Sequence, residues 1–345
     1  MRVGVFDIGT RATRLLVGDT TDGSFRYRNR GSLTHLGESF TSNDEISISG
    51  FQKTVDAIKE FISETGEEFG VQQYVGVATA ALRRARNSEM ILDHLFQETG
   101  LKLRILEDEE EAYLSLLSVF CHFRSELMHE RPIILIDQGG GSTEISCGRM
   151  TRDGYEFLGL ESLELGTILL KNRFLSKRSR LINESYRETL DYIRDQLDSH
   201  KIFAGLEGQY PEHAFAMGSV ITNLTGKKGN YKQNGSVITK ERMNIALKNK
   251  VEFYQANDIK TIEDLLEEEI SNEALSKELL MIYGLPVYVG LLDKYHLNRL
   301  TVCGYGLRYG VFWYLMLRDS PAIHRTIPLE LVPRDALTFF SSTSA

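Results

Sequence analysis

The feature that most constrains the fold is a glycine-rich loop between two short hydrophobic segments near the middle of the chain. Residues 133–136 are apolar and mostly β-branched, which is typical of a buried strand, and the short run 145–147 predicts a second strand leading away. The segment between them consists of Asp137, Gln138, Gly139, Gly140, Gly141, Ser142, Thr143 and Glu144. The pattern therefore predicts a β-hairpin whose loop has an unusually free backbone.

The chemistry of this loop suits phosphate. Glycines bring backbone N–H groups close to a ligand, and such donors, with the hydroxyls of Ser142 and Thr143, match phosphate oxygens. Asp137 and Glu144 bracket the loop, and because carboxylates repel bare phosphate, they predict a divalent cation, Mg²⁺, between protein and phosphate. A glycine-rich bend without a ligand is the alternative. The loop is neither a Walker loop, since no Gly-Lys-Ser/Thr follows, nor a dinucleotide fingerprint, since a strand follows.

A second copy of the same plan lies at the N-terminus. An apolar strand, residues 3–6, runs into Asp7, Gly9 and Thr10, and the apolar residues 15–17 follow. Two related loops far apart in sequence predict two duplicated halves that face one ligand across a cleft.

Length and composition set the broad class. With 345 residues the chain has room for two domains. We see no apolar run approaching the ~20 residues that span a bilayer, and no signal-peptide pattern follows Met1, so we expect no membrane and a cytoplasmic location. Three scattered cysteines indicate neither a disulfide framework nor a zinc site.

The charge pattern bears on partners. A net charge of −8 argues against nucleic-acid binding, but local basic clusters leave a phosphorylated ligand open. These clusters are Arg11 with Arg14, then Arg83, Arg84 and Arg86, and finally Lys227, Lys228 and Lys232. Each cluster alone is also compatible with a solvated surface.

Periodicity and capping patterns predict alternating strands and helices. Predicted strands are residues 2–6, 13–17, 24–27, 74–78, 102–106, 133–136, 156–163, 214–217 and 299–303. The first predicted helix is capped by Ser49 with Gln52, and the second begins at 79–87 and continues through 91–96. The other predicted helices are residues 114–120, 167–174, 183–197, 240–254, 261–268, 271–279, 287–295 and 307–317. Residues 283–286, Tyr-Gly-Leu-Pro, predict a helix break. The tail after Pro321 gives no clear prediction.

An acidic run, residues 107–111, precedes the helix 114–120. Acidic residues in a first helical turn favour the helix dipole, which accounts for most of the run. The helix dipole does not have to account for all five carboxylates, so one or more of them remain candidates for a functional role.

Taken in order, these segments resemble the exopolyphosphatase / guanosine pentaphosphate phosphatase family. The segments that carry the resemblance are residues 7–10 with 14–15, 79–87, 110–112, 137–144, 162–166, 217–218, and 306–308 with Gly310. The resemblance implies an α/β fold of the actin-like ATPase (ASKHA, ribonuclease H-like) superfold, with two duplicated domains around a cleft. Domain I would comprise 1–121 plus 311–345 and domain II 122–310, the short two-domain type.

The resemblance also implies roles. Glu111 would be the water-activating residue, while Asp137 and Glu144, with Asp7, would organise Mg²⁺. Phosphate would be held by Gly9, Thr10, Arg11, Gly139, Gly140, Gly141, Ser142 and Thr143, with Arg83 as a charge-assisted clamp. The implied activity is release of the terminal phosphate from inorganic polyphosphate, from guanosine pentaphosphate or from both. Guanosine pentaphosphate is a signal of the stringent response. The resemblance leaves the working substrate and the oligomeric state open, with a homodimer among the alternatives.

Departures from the family pattern motivate a different class of function. Arg11 and Ala12 stand where the family usually has Asn and Ser, Ile221 replaces a glycine, and Tyr309 replaces a Glu. A sensor that binds a phosphorylated signal with little turnover is therefore the main alternative, and a kinase or ATPase of the same superfold is another. Bulky Ile221 would leave no adenosine pocket at the glycine's position, which counts against the kinase.

Overall fold

The protein consists of two compact units in a computed structural model that describes residues 2–19, 26–39, 43–123, 127, 130–151, 154–175, 182–199, 210–226, 233–256 and 273–317. Unit 1 comprises Met1–His122 with Gly306–Ala345, and unit 2 comprises Phe123–Tyr305. The boundaries expected from the sequence follow residues 121 and 310. Lys227, Lys228, Lys232, the predicted helix 261–268 and the tail after Pro321 lie outside the described residues.

Unit 1 is built on a five-stranded sheet in the order β3-β2-β1-β4-β5. Its strands are β1 (Arg2–Ile8), β2 (Thr13–Asp19), β3 (Arg26–Ser32), β4 (Tyr74–Ala78) and β5 (Leu103–Ile105). The first three form an antiparallel meander, and β4 and β5 then run parallel to β1. The sequence places the third strand too early, at 24–27, because β3 is a polar edge strand without apolar alternation.

Unit 2 repeats this plan in a six-stranded sheet. Its strands are β6 (Pro132–Gln138), β7 (Thr143–Thr151), β8 (Gly154–Leu163), β9 (His213–Met217), β10 (Val237–Thr239) and β11 (Arg299–Val302). The meander is β6-β7-β8, after which β9 runs parallel to β6 and β11 parallel to β9. The order β8-β7-β6-β9-β11 therefore matches that of unit 1, and β10 is an added antiparallel edge strand that the sequence did not predict.

The described helices cover both sheets. They are α1 (Ile48–Phe69), α2 (Ala80–Arg84), α3 (Ser88–Thr99), α4 (Asp108–His122), α5 (Thr167–Phe174), α6 (Ile182–Ser199), α7 (Ser219–Leu224), α8 (Lys240–Ala256), α9 (Glu273–Lys294) and α10 (Leu307–Leu317). In unit 1, α10 packs on α4 where Gly310 lies against the Leu114 carbonyl, leaving no room for a Cβ atom.

Two helix starts in unit 1 differ from the prediction. The cap of α1 is Ser47 rather than Ser49, because the Ser47 hydroxyl accepts a hydrogen bond from the Gly50 N–H at 3.1 Å. The single helix expected from 79 through 96 is interrupted at residues 85–87. Asn87 exchanges two hydrogen bonds with the backbone of Ile46, at 3.0 and 2.8 Å, and so holds the chain out of helical geometry.

The predicted break at residues 283–286 is wrong, because α9 continues through Pro286. A proline inside a helix costs about 3 kcal/mol, but Tyr283, Leu285, Val287 and Tyr288 are all fully buried around it. Burial of these side chains offsets the local cost. As a result Leu275–Lys294, with a mean hydropathy of 1.4, is long and apolar enough to cross a membrane, contrary to the expectation from sequence. It is 72% buried within the protein, as a core helix would be.

His122, the last residue of α4, lies in an aromatic cluster of unit 1. Its ring centroid is 5.9 Å from those of Tyr27 and Trp313 and 5.5 Å from that of Tyr309. Burial lowers the pKa of His122 to about 4, although a hydrogen bond of 2.7 Å with the Ser118 carbonyl opposes the shift. The imidazole is therefore neutral at pH 7.

This burial predicts a pH-dependent stability of unit 1. Since the folded-state pKa lies below the model value of 6.5, the unfolded chain binds more protons, and stability falls as the pH drops from 6.5 towards 4. The loss amounts to about 3 kcal/mol. Urea denaturation followed by the fluorescence of Trp313, the sole tryptophan, should show this loss in the wild type and a smaller one in His122→Phe. Equal losses in both proteins would contradict the prediction.

Candidate functional site

Most of the sequence-predicted site residues lie where parallel strands end. In unit 1, β1, β4 and β5 are parallel neighbours, so their carboxyl ends share one edge of the sheet. In unit 2, β6, β9 and β11 do the same. In open α/β sheets this edge is where ligands bind.

The two glycine-containing loops have the same backbone geometry. The Gly9 N–H donates to the Ala12 carbonyl at 3.1 Å, and the Gly139 N–H donates to the Ser142 carbonyl at 2.9 Å. The hairpins are also closed by equivalent pairs, Ile8 with Thr13 and Gln138 with Thr143. The duplication expected from sequence therefore extends to individual hydrogen bonds.

In unit 2, every carbonyl of the glycine loop from 139 to 141 is turned towards the start of α5. Gly139 accepts from Thr167 N–H at 3.0 Å, Gly140 accepts from the next two amides at 2.9 and 3.0 Å, and Gly141 accepts from Gly166 N–H at 3.3 Å. In a planar trans peptide the C=O and N–H point in opposite directions. The N–H groups of residues 140–142 therefore point away from α5, as three parallel donors.

The unit 1 loop is held in a similar way. The Thr10 carbonyl accepts from Gly37 N–H at 2.7 Å, and the Arg11 carbonyl accepts from His35 N–H at 2.9 Å. The N–H groups of Arg11 and Ala12 consequently point away from this supporting segment. The Arg11 side chain is partly exposed.

Two glycines of unit 2 allow neighbouring segments to approach the backbone of its hairpin loop closely. A Cβ at Gly166 would fall far inside van der Waals contact with the backbones of Gly140 and Gly141. Gly218, after β9, has φ +105°, and a Cβ there would lie 2.6 Å from the Gln138 carbonyl oxygen. Both glycines occur in the segments that carried the family resemblance, and the structure gives the reason for each.

Thr143 does not fit the predicted role of phosphate donor. Its side chain is fully buried and its hydroxyl donates to the Leu165 carbonyl at 2.9 Å. The neighbouring Gln138 is also buried, and its amide donates to the Gly284 carbonyl at 3.1 Å. Thr143 thus binds the segment between β8 and α5, and Gln138 binds α9. Ser142 is left as the loop hydroxyl closer to solvent.

The two metal-binding candidates of unit 2 face each other. Asp137 and Glu144 are register partners across β6 and β7, so both carboxylates lie on one face of the hairpin. Directly opposed like charges destabilise a sheet, which favours a cation between them. The Ser162 hydroxyl donates to Glu144 Oε1 at 3.2 Å and orients that carboxylate. Within the described residues, no group of three or more His, Cys, Asp or Glu side chains converges on a metal position.

Asp7 does not fit the predicted role of metal ligand. Its register partner is Arg14, where unit 2 has Glu144 opposite Asp137. Asp7 Oδ2 lies 3.6 Å from Arg308 Nη1 and 4.0 Å from Arg14 Nη1. Two guanidinium groups already supply the positive charge that a cation would provide.

Glu111 and Arg83 meet at the end of β5. Arg83 Nη1 donates to Glu111 Oε2 at 3.3 Å and to the Leu106 carbonyl at 2.5 Å, while Nη2 donates to Asp108 Oδ1. The Arg83 side chain is only 21% exposed. Because its fork is bound to three protein groups, this arrangement does not fit the predicted phosphate clamp.

The other carboxylates of the acidic run have different roles. Glu110 is buried, accepts from the Glu107 N–H at 3.1 Å and binds Arg104, so it caps α4. Glu109 is exposed on the same turn. The run therefore combines a helix cap with a group of side chains around Arg83.

The Ile221 departure is explained by the core of unit 2. Ile221 lies in α7, is fully buried, and belongs to the hydrophobic cluster that includes Val220 and Leu285. Its side chain is therefore part of the core of unit 2.

The two sheets have the same strand order, and each carries a glycine-containing hairpin loop at the edge where its parallel strands end. This architecture is that of an α/β protein of the actin-like ASKHA superfold, as the resemblance implied. A profile of the Ppx/GppA phosphatase family matches residues 20–319. The chain belongs to this family.

Curated relatives carry two kinds of name. "Exopolyphosphatase 1" of Mycobacterium leprae is 30% identical over 234 residues, covering 66% of this chain and 65% of that protein. "Exopolyphosphatase 1" of Mycobacterium tuberculosis is 33% identical over 150 residues, 43% of this chain and 42% of that one. "Guanosine-5'-triphosphate,3'-diphosphate pyrophosphatase" of Photobacterium profundum is 23% identical over 85% of this chain and 55% of its own. The chain thus spans about half the length of the relatives it matches.

Solved structures support the fold. The Aquifex aeolicus member of the Ppx/GppA family superposes with a TM-score of 0.74 at 24% identity, covering 93% of this chain and 99% of that one. An exopolyphosphatase from Cytophaga hutchinsonii gives the same TM-score and coverage at 20% identity. At these identities the likeness shows the fold alone.

Proposed function

We propose that this chain hydrolyses phosphoanhydrides, releasing the terminal phosphate from inorganic polyphosphate, guanosine pentaphosphate or both. The observation that carries the proposal is the loop 139–142, whose carbonyls are all bound to the protein so that three consecutive amides are oriented for an anion. Names of relatives as exopolyphosphatase and as guanosine pentaphosphate pyrophosphatase support both substrate classes. We also propose a cytoplasmic location for the protein.

Hydrolysis needs a group that places and deprotonates water. In this proposal Glu111 is that group, because it is a partly exposed carboxylate at the start of a helix, 3.3 Å from a guanidinium that fixes its orientation. Water attacks the terminal phosphorus in line with the leaving phosphate, and Glu111 takes the proton of the attacking water. For the loop of unit 2 we propose that the amides of Gly140, Gly141 and Ser142 donate to phosphate oxygens of the substrate. No covalent enzyme intermediate is required.

Magnesium fits the carboxylate pair of unit 2. We propose that Asp137 and Glu144 would hold a Mg²⁺ ion, because carboxylate oxygens are ligands that suit this hard cation. When bound, Mg²⁺ supplies positive charge that offsets the charge of the phosphate oxygens. Asp7 is outside this proposal because two arginines neutralise it.

The metal proposal predicts that Glu144→Gln raises the Mg²⁺ concentration needed for half-maximal activity by about 10- to 100-fold. Direct titration with Mn²⁺, followed by electron paramagnetic resonance, should show the same loss of affinity without substrate. Glu164→Gln, a change of the same charge at an exposed residue near the end of β8, is the control and should leave both values unchanged. Unaltered Mn²⁺ affinity in Glu144→Gln would contradict the proposed ligand.

The activity is tested with purified protein and Mg²⁺, supplied separately with long-chain polyphosphate, guanosine pentaphosphate and ATP. Phosphate release from either of the first two supports the hydrolase and identifies its substrate. Release from ATP alone would indicate a different phosphohydrolase. Calorimetric binding of one compound with no release from any would instead support the sensor that the departures at Arg11 and Ala12 motivate.

A further inference from the structure

We infer that Asp108 is a positioning residue that acts through Arg83 on Glu111. In this inference Arg83 does not bind the substrate; it fixes the direction in which Glu111 presents its carboxylate. The inference rests on the proposed function, since it assigns Glu111 the role of water activation. It adds a residue, Asp108, that the acidic run of the sequence did not distinguish from its neighbours.

The sheet brings these residues together. β4 and β5 are adjacent parallel strands, with Ala78 opposite Ile105. The Leu106 N–H donates to the Ala78 carbonyl at 2.9 Å. This bond extends the pairing of β4 and β5 to the last residues of both strands. Because α2 follows β4 and α4 follows β5, the guanidinium of Arg83 in α2 contacts the first turn of α4.

The contacts of Arg83 are directional. Nη2 binds the Asp108 carboxylate, while Nη1 is shared between the Leu106 carbonyl at 2.5 Å and Glu111 Oε2 at 3.3 Å. A guanidinium is planar and its donors form a rigid fork, so fixing one end fixes the direction of the other. Asp108 and Leu106 therefore determine the angle at which Arg83 approaches Glu111.

The exposure of the three side chains supports a positioning role. Arg83 and Glu111 are 21% and 22% exposed, whereas Asp108 is 45% exposed. The Glu111 carboxylate is thus mostly enclosed but keeps an exposed fraction, as a group that must contact water requires. Since Asp108 is nearly half exposed, its pairing contributes little to stability, and its loss should change activity without unfolding the helix.

The two roles of Arg83 predict different kinetics. A phosphate clamp removed by Arg83→Ala would raise KM and leave kcat nearly unchanged. A positioning residue would lower kcat and leave KM nearly unchanged, because misplacing a catalytic group by about 1 Å costs about 100-fold in rate. The separation of kcat from KM therefore distinguishes them.

The experiment is a double-mutant cycle on the full chain, measuring phosphate release from the substrate the wild type accepts. We expect Asp108→Asn to lower kcat by about 10-fold and Arg83→Ala by about 100-fold, with KM within about twofold. The double variant should match Arg83→Ala alone, because Asp108 acts only through Arg83. Arg83→Lys should restore part of kcat, since an ammonium can reach one carboxylate.

Controls separate the outcomes. Glu109→Gln removes the same charge from an exposed position on the same helical turn and should leave kcat unchanged. Each variant should melt within a few degrees of the wild type, and Asp108→Asn is nearly isosteric. A raised KM with unchanged kcat, or single effects that multiply in the double variant, would overturn the inference while leaving the proposed function intact. No release by the wild type from any phosphoanhydride would overturn both.

Discussion

Replacing Glu111 by Gln is expected to lower phosphate release by about 10²- to 10⁴-fold while leaving substrate affinity within a few-fold. The amide keeps the size of the side chain and its contact with Arg83 Nη1, now 3.3 Å from Glu111 Oε2, but it cannot accept the proton of the attacking water. Because the phosphate donors assigned to unit 2 are untouched, binding should persist. Single-turnover phosphate release and calorimetry on the same preparation measure the two quantities.

Glu109→Gln is the matched control for this variant. Glu109 lies two residues earlier on α4 and is exposed, so it undergoes the same change of charge outside the group around Arg83. We expect it to retain wild-type turnover. Normal turnover by Glu111→Gln, or equal losses in both variants, would exclude Glu111 as the water-activating residue.

The central strands and the repeated hairpin could be predicted because their sequence signals are local. In β1 and β6 almost every residue is buried, so the apolar runs identify the strands directly. The edge strand β3 has the sequence RYRNRGS and pairs only with β2 within the described sheet. Its apolar signal is absent because little of it is buried, and the prediction was displaced for that reason.

Long-range packing limits what local signals show. The sequence of α9 contains Gly284 and Pro286, both of which favour a break. In the structure Gly284 provides room for the Gln138 and Val220 side chains, since a Cβ there would lie 2.8 and 2.9 Å from them. The glycine is thus a close-packing position in a buried helix, which only the tertiary structure reveals.

In the candidate site, too, local features could be predicted from the sequence, whereas long-range pairings could not. The hairpin with its glycine-rich loop 139–142 could be predicted because glycine content and apolar flanking strands are local properties; phosphate binding by this loop stays a prediction. The assignments of Thr143, Arg83 and Asp7 did not fit, since their partners Leu165, Asp108 and Arg308 come from other segments of the chain. Which polar side chains face a ligand depends on such pairings, and single-sequence patterns do not contain them.

The duplicated loops have diverged in charge. At equivalent positions of the two hairpins, Thr10, Arg11 and Arg14 of unit 1 stand where unit 2 has Gly140, Gly141 and Glu144. Unit 2 therefore presents a glycine-rich loop beside two carboxylates, whereas unit 1 presents arginines beside one carboxylate. The carboxylate pair of unit 2 is consistent with the proposed Mg²⁺ site, and the arginines of unit 1 offer positive charge instead.

Gly166→Ala is expected to destabilise unit 2 by about 3 kcal/mol or more and to weaken substrate binding. The new Cβ would overlap backbone atoms of Gly140 and Gly141, and backbone cannot rotate away as a side chain could. Relief of the overlap requires α5 to separate from the loop, which breaks the bonds of Gly139 and Gly140 with Thr167 and Ile168. The outward amides of the loop then lose their fixed orientation.

Gly141→Ala provides the control within the same loop, because a Cβ at Gly141 meets nothing within 4 Å. Its stability should stay within about 0.5 kcal/mol of the wild type. Hydrogen exchange of the α5 and β6 amides measures the stability of unit 2 in each variant, and calorimetry with non-hydrolysed substrate in a Glu111→Gln background measures affinity. If Gly166→Ala exchanged as slowly as Gly141→Ala, the close approach of the two backbones would be refuted. If Gly166→Ala lost stability but kept its affinity, the loop amides would not be the phosphate donors, and the observation that carries the proposed function would be lost.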